Sequence, residues 1–357
     1  MKFELPVIDS HMHFFSIKNE ENITFFEAFD DYQQRFGLKS INLCCAMVNF
    51  SDASNNILAA LYKLHNPTAF AYACPVYADL PVKLPVPEGM DAISQYEELM
   101  GIGFDGIKLI ETKPSELKTI NLPIDGEFYD EFFARAENDG THFIWHVSDP
   151  QTNWDINTTP DWAIREGWYY GDGTYPSYEE IYNQVFRILD KYPKLNVTFA
   201  HFFFLSENPD ELERIFEKYP NVSIDLVPGS EMYAGIEKNR ERYLNFFQKY
   251  KDRIVYGTDI TFPVELWNWD HLATEVYNAV ATDKNIEIYS VECGGLKLPE
   301  DVCKKIFSEN FERMCSKKPK KINVEALKKY IKKYQHLIND EKTVDFIWEY
   351  VNQLEVK

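Results

Sequence analysis

Val7-Ile8-Asp9-Ser10-His11-Met12-His13 is the stretch on which the reading of the chain turns. An apolar start followed by alternation predicts a short strand. Side chains on a strand alternate faces, so His11 and His13 point the same way, about 7 Å apart along the backbone. Two imidazoles so placed can grip one metal ion if further ligands converge from elsewhere. Alone, the pair is equally well two polar residues near a strand end, so the decision passes to the rest of the sequence.

Seven further apolar, β-rich runs follow it. They are Ile41 to Phe50, Ala69 to Tyr77, Phe104 to Ile110, Thr141 to Val147, Asn196 to Phe202, Asn221 to Val227 and Arg253 to Asp259. With Leu5 to His13 they make eight. Helical patterns separate most of them, such as Tyr178 to Tyr192 and Pro209 to Tyr219. Eight such strands alternating with helices predict an α/β fold, a (β/α)8 TIM barrel whose parallel strands are buried on both faces. Two segments exceed a minimal barrel. Ser148 to Ser177, after the fifth strand, is rich in Trp, Tyr, Gly and Asp. Its aromatics argue against disorder, and loops of this length are commonly functional. The tail from Lys317 is lysine-rich and then amphipathic, predicting one or two helices packed outside the barrel or against a second subunit. Its lysine run reads as a solvated helix face. The expected division is a barrel domain over 1–316 and a helical extension over 317–357.

At 357 residues the chain can bury a large core. Its formal net charge of −20 argues against nucleic acid and anionic membrane surfaces as partners. The six cysteines form no C-x-x-C pair, which points to a reducing compartment. Neither a leader nor a stretch long enough to span a bilayer is evident, so a cytoplasmic protein is expected.

In a barrel, function gathers at the carboxyl ends of the strands. Strand one supplies His11 and His13 there, strand four Lys108, strand five His146, strand six His201 and strand eight Asp259. Only eight histidines occur in the chain, and four of them fall at the ends of three predicted strands. That coincidence favours a metal site. His142, near the start of strand five, reads as structural. His65, His271 and His336 read as surface residues. Asp9 is either an orienting partner for a ligand or a buried carboxylate satisfied by backbone amides. Glu231 and Tyr233 follow strand seven on the functional side. Arg165 in the aromatic segment is either solvated or a clamp for a carboxylate. The tryptophans there either line the pocket or form a small satellite core.

Taken together, IDSHMH, GFDGIKL, FIWH, YPSYEEIYNQVFRILDKYPKLNVTFAH, YPNVSIDL, IVYGTD and LPEDVCKKIFSENFERM resemble the amidohydrolase superfamily. The likeness is to its amidohydrolase-related branch of metal-dependent hydrolases and decarboxylases, over roughly residues 5 to 315. The resemblance implies that His11, His13 and His146 ligate the metal. Asp259 would complete the set and touch the coordinated water, with His201 nearby as general acid/base. Three nitrogens and a carboxylate suit zinc with room for a water, and the cation would lower that water's pKa toward ~7.

One divalent metal is expected, zinc in preference to manganese. A second metal bridged by a carboxylated Lys108 is the less favoured arrangement. Lys108, Arg165 and Trp154 are the expected substrate-binding residues. The expected partner is a small molecule, a carboxylic acid among the candidates, and a homodimer is left open. The expected activity is hydrolysis of an amide, ester or lactone carbonyl. Non-oxidative decarboxylation of an aromatic or unsaturated acid is the alternative, and a catalytically silent ligand-binding barrel a third.

Overall fold

The computed structural model describes residues 2–46, 53–229, 231–264 and 268–354. Nine parallel strands form one sheet: β1 (Ile8–Phe14), β2 (Ser40–Cys44), β3 (Phe70–Ala73), β4 (Gly106–Thr112), β5 (His142–Val147), β6 (Asn196–Phe199), β7 (Val222–Asp225), β8 (Ile254–Val255) and β9 (Ile260–Phe262). Their order is β8-β7-β6-β5-β4-β3-β2-β1-β9. The two ends of that order are halves of a single interrupted strand, since β8 runs into β9 within a few residues. The sheet therefore closes on itself as a (β/α)8 barrel. Ser10 N donates to Tyr256 O at 3.1 Å and Asp259 N to His11 O at 2.9 Å across the seam. All eight expected strands are present. Residues 47–50 of the second expected run lie outside the described residues, as do 355–357 of the tail.

Local sequence explains the elements. The strands β1, β2, β3, β5 and β7 are buried at every position, as expected where helices cover one face and the barrel interior the other. The helix Phe25–Phe36 starts at a capping box, Thr24 with Glu27, and stops at Gly37 in the left-handed region at φ 65°. Tyr178–Lys191 is capped by Ser177 and buries Ile181, Val185, Ile188 and Leu189 at helical spacing. Pro209–Lys218 has Asn208 as cap and Pro209 in its first turn.

The segment 148–177 carries a 3-10 turn, Gln151–Trp154, and a short helix, Asp161–Arg165. Trp154 packs on Tyr170 and Tyr178 with centroids 5.0 and 5.3 Å apart, and its Nε1 donates to Pro176 O at 3.0 Å. These contacts make a satellite core. The C-terminal helices Val324–Tyr334 and Glu341–Leu354 lie on the barrel's outer helices; the first packs against Ala92–Ile102 and both against Ser54–His65. Leu327, Tyr330, Ile331, Tyr334, Ile347 and Val351 join the main core. The lysine run departs from expectation. Lys317, Lys318, Lys320 and Lys321 precede the helix in a non-helical strap, where Pro319 and the anchoring described below keep the backbone out of a helix.

Candidate metal centre and active site

His11 and His13 leave β1 on the same side, and their hydrogen bonds fix their tautomers. His13 Nδ1 lies 2.7 Å from Cys44 O, a carbonyl that can only accept, so the proton sits on Nδ1. His11 Nδ1 lies 2.8 Å from Asp225 Oδ2 and donates to that carboxylate. Both Nε2 atoms therefore present lone pairs, and they face each other at 3.0 Å. Asp259 Oδ1 adds a third acceptor, 3.2 Å from His13 Nε2 and 3.7 Å from His11 Nε2. Acceptors this close repel one another unless a cation lies among them. Two bonds of ~2.0–2.1 Å meeting at roughly 90–120° separate their ligand atoms by about 2.9–3.6 Å, in line with these spacings. Among the described residues, His11, His13 and Asp259 form the group of three or more His, Cys, Asp or Glu side chains whose ligand atoms all lie within 4.8 Å of one another.

A second pair of histidines stands beside this group. The His146 and His201 ring centroids are 4.8 Å apart, and His201 is 6.0 Å from His11. His201 Nε2 is 4.0 Å from Asp259 Oδ2, so Asp259 turns one oxygen to the β1 histidines and the other to His201. His201 Nδ1 and His146 Nε2 are buried without a hydrogen bond among the described residues. For His146 Nε2, Asp149 Oδ1 stands 3.5 Å away. Lys108, near the middle of β4, has its Nζ 2.9 Å from His11 Nε2. Among the described residues, its hydrogen bond is to the same lone pair that an ion would use.

Burial governs the protonation of the site. It pushes Asp225 up to about 8, against the opposing charge of Lys108. It also lowers His11 well below the usual histidine range, helped by the Lys108 charge. A cation held among the ring nitrogens would supply the positive charge that a buried Asp225 carboxylate needs. Burial, with His146 adjoining, takes His201 down to about 3, and burial takes His146 to about 4 despite Asp149. Both are neutral near pH 7. Burial works to raise Asp259, but the nearby Lys108 charge opposes it and the carboxylate lies below its usual range. Burial likewise lowers Lys108.

Backbone geometry delivers two of these groups. His201, Phe202, Phe203 and Phe204 all have positive φ, 51–60°, a full left-handed turn of non-glycine residues. Such residues cost roughly 1–2 kcal/mol each. The turn is held by His201 N donating to Asp225 Oδ1 at 2.8 Å, by Tyr182 donating to Phe203 O at 2.8 Å, and by Phe203 stacked on Phe199 at 3.9 Å. Asp259 also has positive φ, 60°, at the break between β8 and β9.

The remaining candidates fall elsewhere. Trp154 lines a cleft of about 780 Å³ together with Tyr178, Tyr182, Phe204 and Glu231. This cleft adjoins the histidines across the Phe204 ring, which lies 5.0 Å from His201 and 5.5 Å from His146. Arg165 is exposed on its short helix. Asp9 bonds Thr258 Oγ1 at 2.6 Å and Tyr32 OH at 2.9 Å, locking β1 to the eighth strand. His142 accepts from Tyr72 OH at 2.6 Å and reaches Thr198 Oγ1 at 2.8 Å, deep in the barrel. His65 pairs with Asp30, and His271 reaches Glu287 O. Tyr233 donates to Leu226 O. Sequence reasoning missed Asp225, whose signal was a single carboxylate inside the apolar run VSIDL. It also missed Lys113 and Asp149, a buried ion pair at 2.7 Å that receives Tyr170 OH at 2.6 Å.

A barrel with histidines and an aspartate gathered at the carboxyl ends of its strands defines a metal-dependent enzyme scaffold. The sequence matches the amidohydrolase family over residues 8–314, and the chain belongs to that family, whose members are metal-dependent hydrolases and decarboxylases. A search of curated proteins found no match. Among solved structures, the fold is similar to 2,6-dihydroxybenzoate decarboxylase from Rhizobium (15% identity, 87% of this chain, 98% of that one, TM-score 0.54). It is also similar to a dihydroxybenzoic acid decarboxylase from Polaromonas with bound manganese and 2-nitroresorcinol (14%, 87%, 96%, 0.54). A third is a probable 2-pyrone-4,6-dicarboxylic acid hydrolase from Acinetobacter baumannii with citric acid bound (13%, 87%, 99%, 0.52). At these identities the likeness is one of fold. Among the described residues, no helix is long and apolar enough to cross a membrane.

Proposed function

We propose that the chain is a metal-dependent hydrolase that adds water to an amide, ester or lactone carbonyl of a small molecule. The observation that carries this reading is the orientation of Asp259, with one oxygen beside His11 and His13 and the other 4.0 Å from His201. His11, His13 and Asp259 would hold one divalent ion, with His146 as the further nitrogen. Zinc suits this donor set, and manganese, present in one structural neighbour, is the alternative. When bound, the ion supplies Lewis acidity, polarising a carbonyl and easing ionisation of water near neutral pH. Asp259 Oδ2 takes the proton of the attacking water. His201, neutral at pH 7, receives it and returns it to the leaving group. Lys108 swings from His11 Nε2 to the developing oxyanion. Trp154 borders the substrate's approach, and Arg165 offers a carboxylate clamp from its exposed helix. Residues 1–316 are the catalytic barrel and 317–357 its extension.

Decarboxylation is the second reading, favoured by two neighbours named as dihydroxybenzoate decarboxylases. There the buried Lys108 would sit against the substrate carboxylate, and His201 would need to carry a proton to carbon. Incubating the metal-loaded protein with lactones, esters and dihydroxybenzoates separates the two. Ring-opened or cleaved products without carbon dioxide release support hydrolysis. Stoichiometric carbon dioxide with a protonated ring overturns it.

A further inference from the structure

Opposite the catalytic end, the starts of β1, β2 and β3 border a second cleft of about 590 Å³, lined by Ile8, Ser40, Phe70 and six lysines. The lysines are Lys39, Lys63, Lys317, Lys318, Lys320 and Lys321, against a single carboxylate, Glu312. In a chain of net charge −20 this concentration is out of keeping with the rest of the surface. Many lysines elsewhere sit on carboxylates, for example Lys191 on Asp130, Lys218 on Asp190 and Lys297 on Asp283. Here Lys39 is paired with Glu312 and Lys63 with Asp105. Lys317, Lys318, Lys320 and Lys321 have no carboxylate within ion-pair distance among the described residues.

The strap that bears those four lysines is built in place rather than loosely attached. Asp105 is buried; its Oδ2 takes Lys63 Nζ at 2.5 Å and its Oδ1 takes Lys320 N at 2.7 Å. Asn323 N donates to Ile102 O at 2.8 Å. Gly103, at φ +111°, lies so close beneath the strap that a Cβ there would stand 2.3 Å from Lys321 O. A buried ion pair and a glycine thus order a backbone whose cations remain uncompensated, and ordering beforehand lowers the cost of binding.

We propose that this cleft binds a compact multivalent anion, of the class of small-molecule bisphosphates and diphosphates. Several point charges around one concavity suit a ligand with several phosphate charges. The cleft's size fits a small molecule, and the negative charge of the remaining surface opposes a long polyanion. The site is remote from the metal centre, at the other end of the strands.

The test is calorimetric titration of the metal-loaded protein with fructose 1,6-bisphosphate and with ADP, using glucose and adenosine as uncharged controls. Saturable binding of the phosphorylated probes alone, weakening as sodium chloride rises, is expected. The fourfold variant K317Q/K318Q/K320Q/K321Q, with an unchanged thermal midpoint, should bind about tenfold more weakly or worse. His13→Ala should bind them as wild type does. Absence of saturable binding, equal affinity in the fourfold variant, or loss of binding in His13→Ala would each overturn the proposal. So would a sedimentation shift showing that a second copy of the chain occupies the cleft.

Discussion

Asp225 carries more of the site than its position in an apolar strand suggests. One oxygen receives His11 Nδ1, setting the tautomer that frees Nε2, and the other receives the His201 amide. Asp225→Asn keeps the shape but removes the charge, so metal affinity should fall about 10–100-fold, as for other partners of ligating histidines. Competition against a chromogenic chelator measures this, and unchanged affinity would refute the role. Asp259 makes a different demand. Asparagine tolerates its positive φ, whereas alanine adds backbone strain on the order of 1 kcal/mol. Asp259→Asn should therefore abolish turnover at near-native stability, while Asp259→Ala loses both, as seen by assay and urea unfolding.

His142 lies away from the metal centre and makes a clean pH probe. Its folded pKa is lowered to about 3 by burial, from 6.5. The unfolded chain therefore takes up a proton below pH 6.5 that the folded one refuses. Its contribution to stability is complete above pH 6.5 and is lost as pH falls toward 3. Between pH 7.5 and 5, His142→Gln should lose up to about 2 kcal/mol less stability than wild type, 1.5 pH units at about 1.36 kcal/mol each. Urea midpoints at the two pH values decide it.

At the scale of elements, the left-handed turn His201–Phe204 is a costly local structure, four successive non-glycine residues at positive φ. Aromatic packing offsets the cost: Phe203 lies on Phe199 and Tyr182, and Phe202 against Tyr243, Phe246 and Phe247. Phe203→Ala should destabilise by about 3–5 kcal/mol and depress kcat, since the same turn aims His201. The segment 148–177 hangs on Asp149, where Lys113, Tyr170 and His146 meet. Tyr170→Phe removes a buried donor and should cost about 1–3 kcal/mol. Limited proteolysis should then cut between 155 and 173 faster than in wild type. Equal cleavage rates would mean that the satellite core holds the segment without Asp149.

For the whole molecule, the C-terminal helices matter through the core they complete. Tyr330 is buried and its OH meets Asn56, whose amide in turn bonds Cys74 on both sides. Helices outside the barrel are thus tied to the segment after β3, and a chain ending near residue 323 would lose Leu327, Tyr330, Ile331 and Tyr334 and expose the core surface they cover. The other end of the barrel shows the same economy of contact, since the lysine strap leaving the last barrel helix is pinned by Asp105.

The fold was legible because it rests on period. Buried parallel strands announce themselves as apolar runs, amphipathic helices between them do the same, and scarce histidines at run ends mark one barrel mouth. All eight strands, the aromatic segment and the helical tail could be placed from the 357 residues alone. What tertiary structure decided was everything that depends on partners distant in the chain. Asp225 within VSIDL looks like any strand carboxylate until His11, 214 positions away, bonds to it. The left-handed turn at His201 has no glycine to betray it, because packing rather than local propensity holds it. The lysines at 317–321 read as a solvated helix face, and became a fixed strap only through a buried carboxylate more than two hundred residues earlier. Periodicity is a property of neighbours along the chain; a ligand's orientation is set by whichever group the closed barrel brings against it.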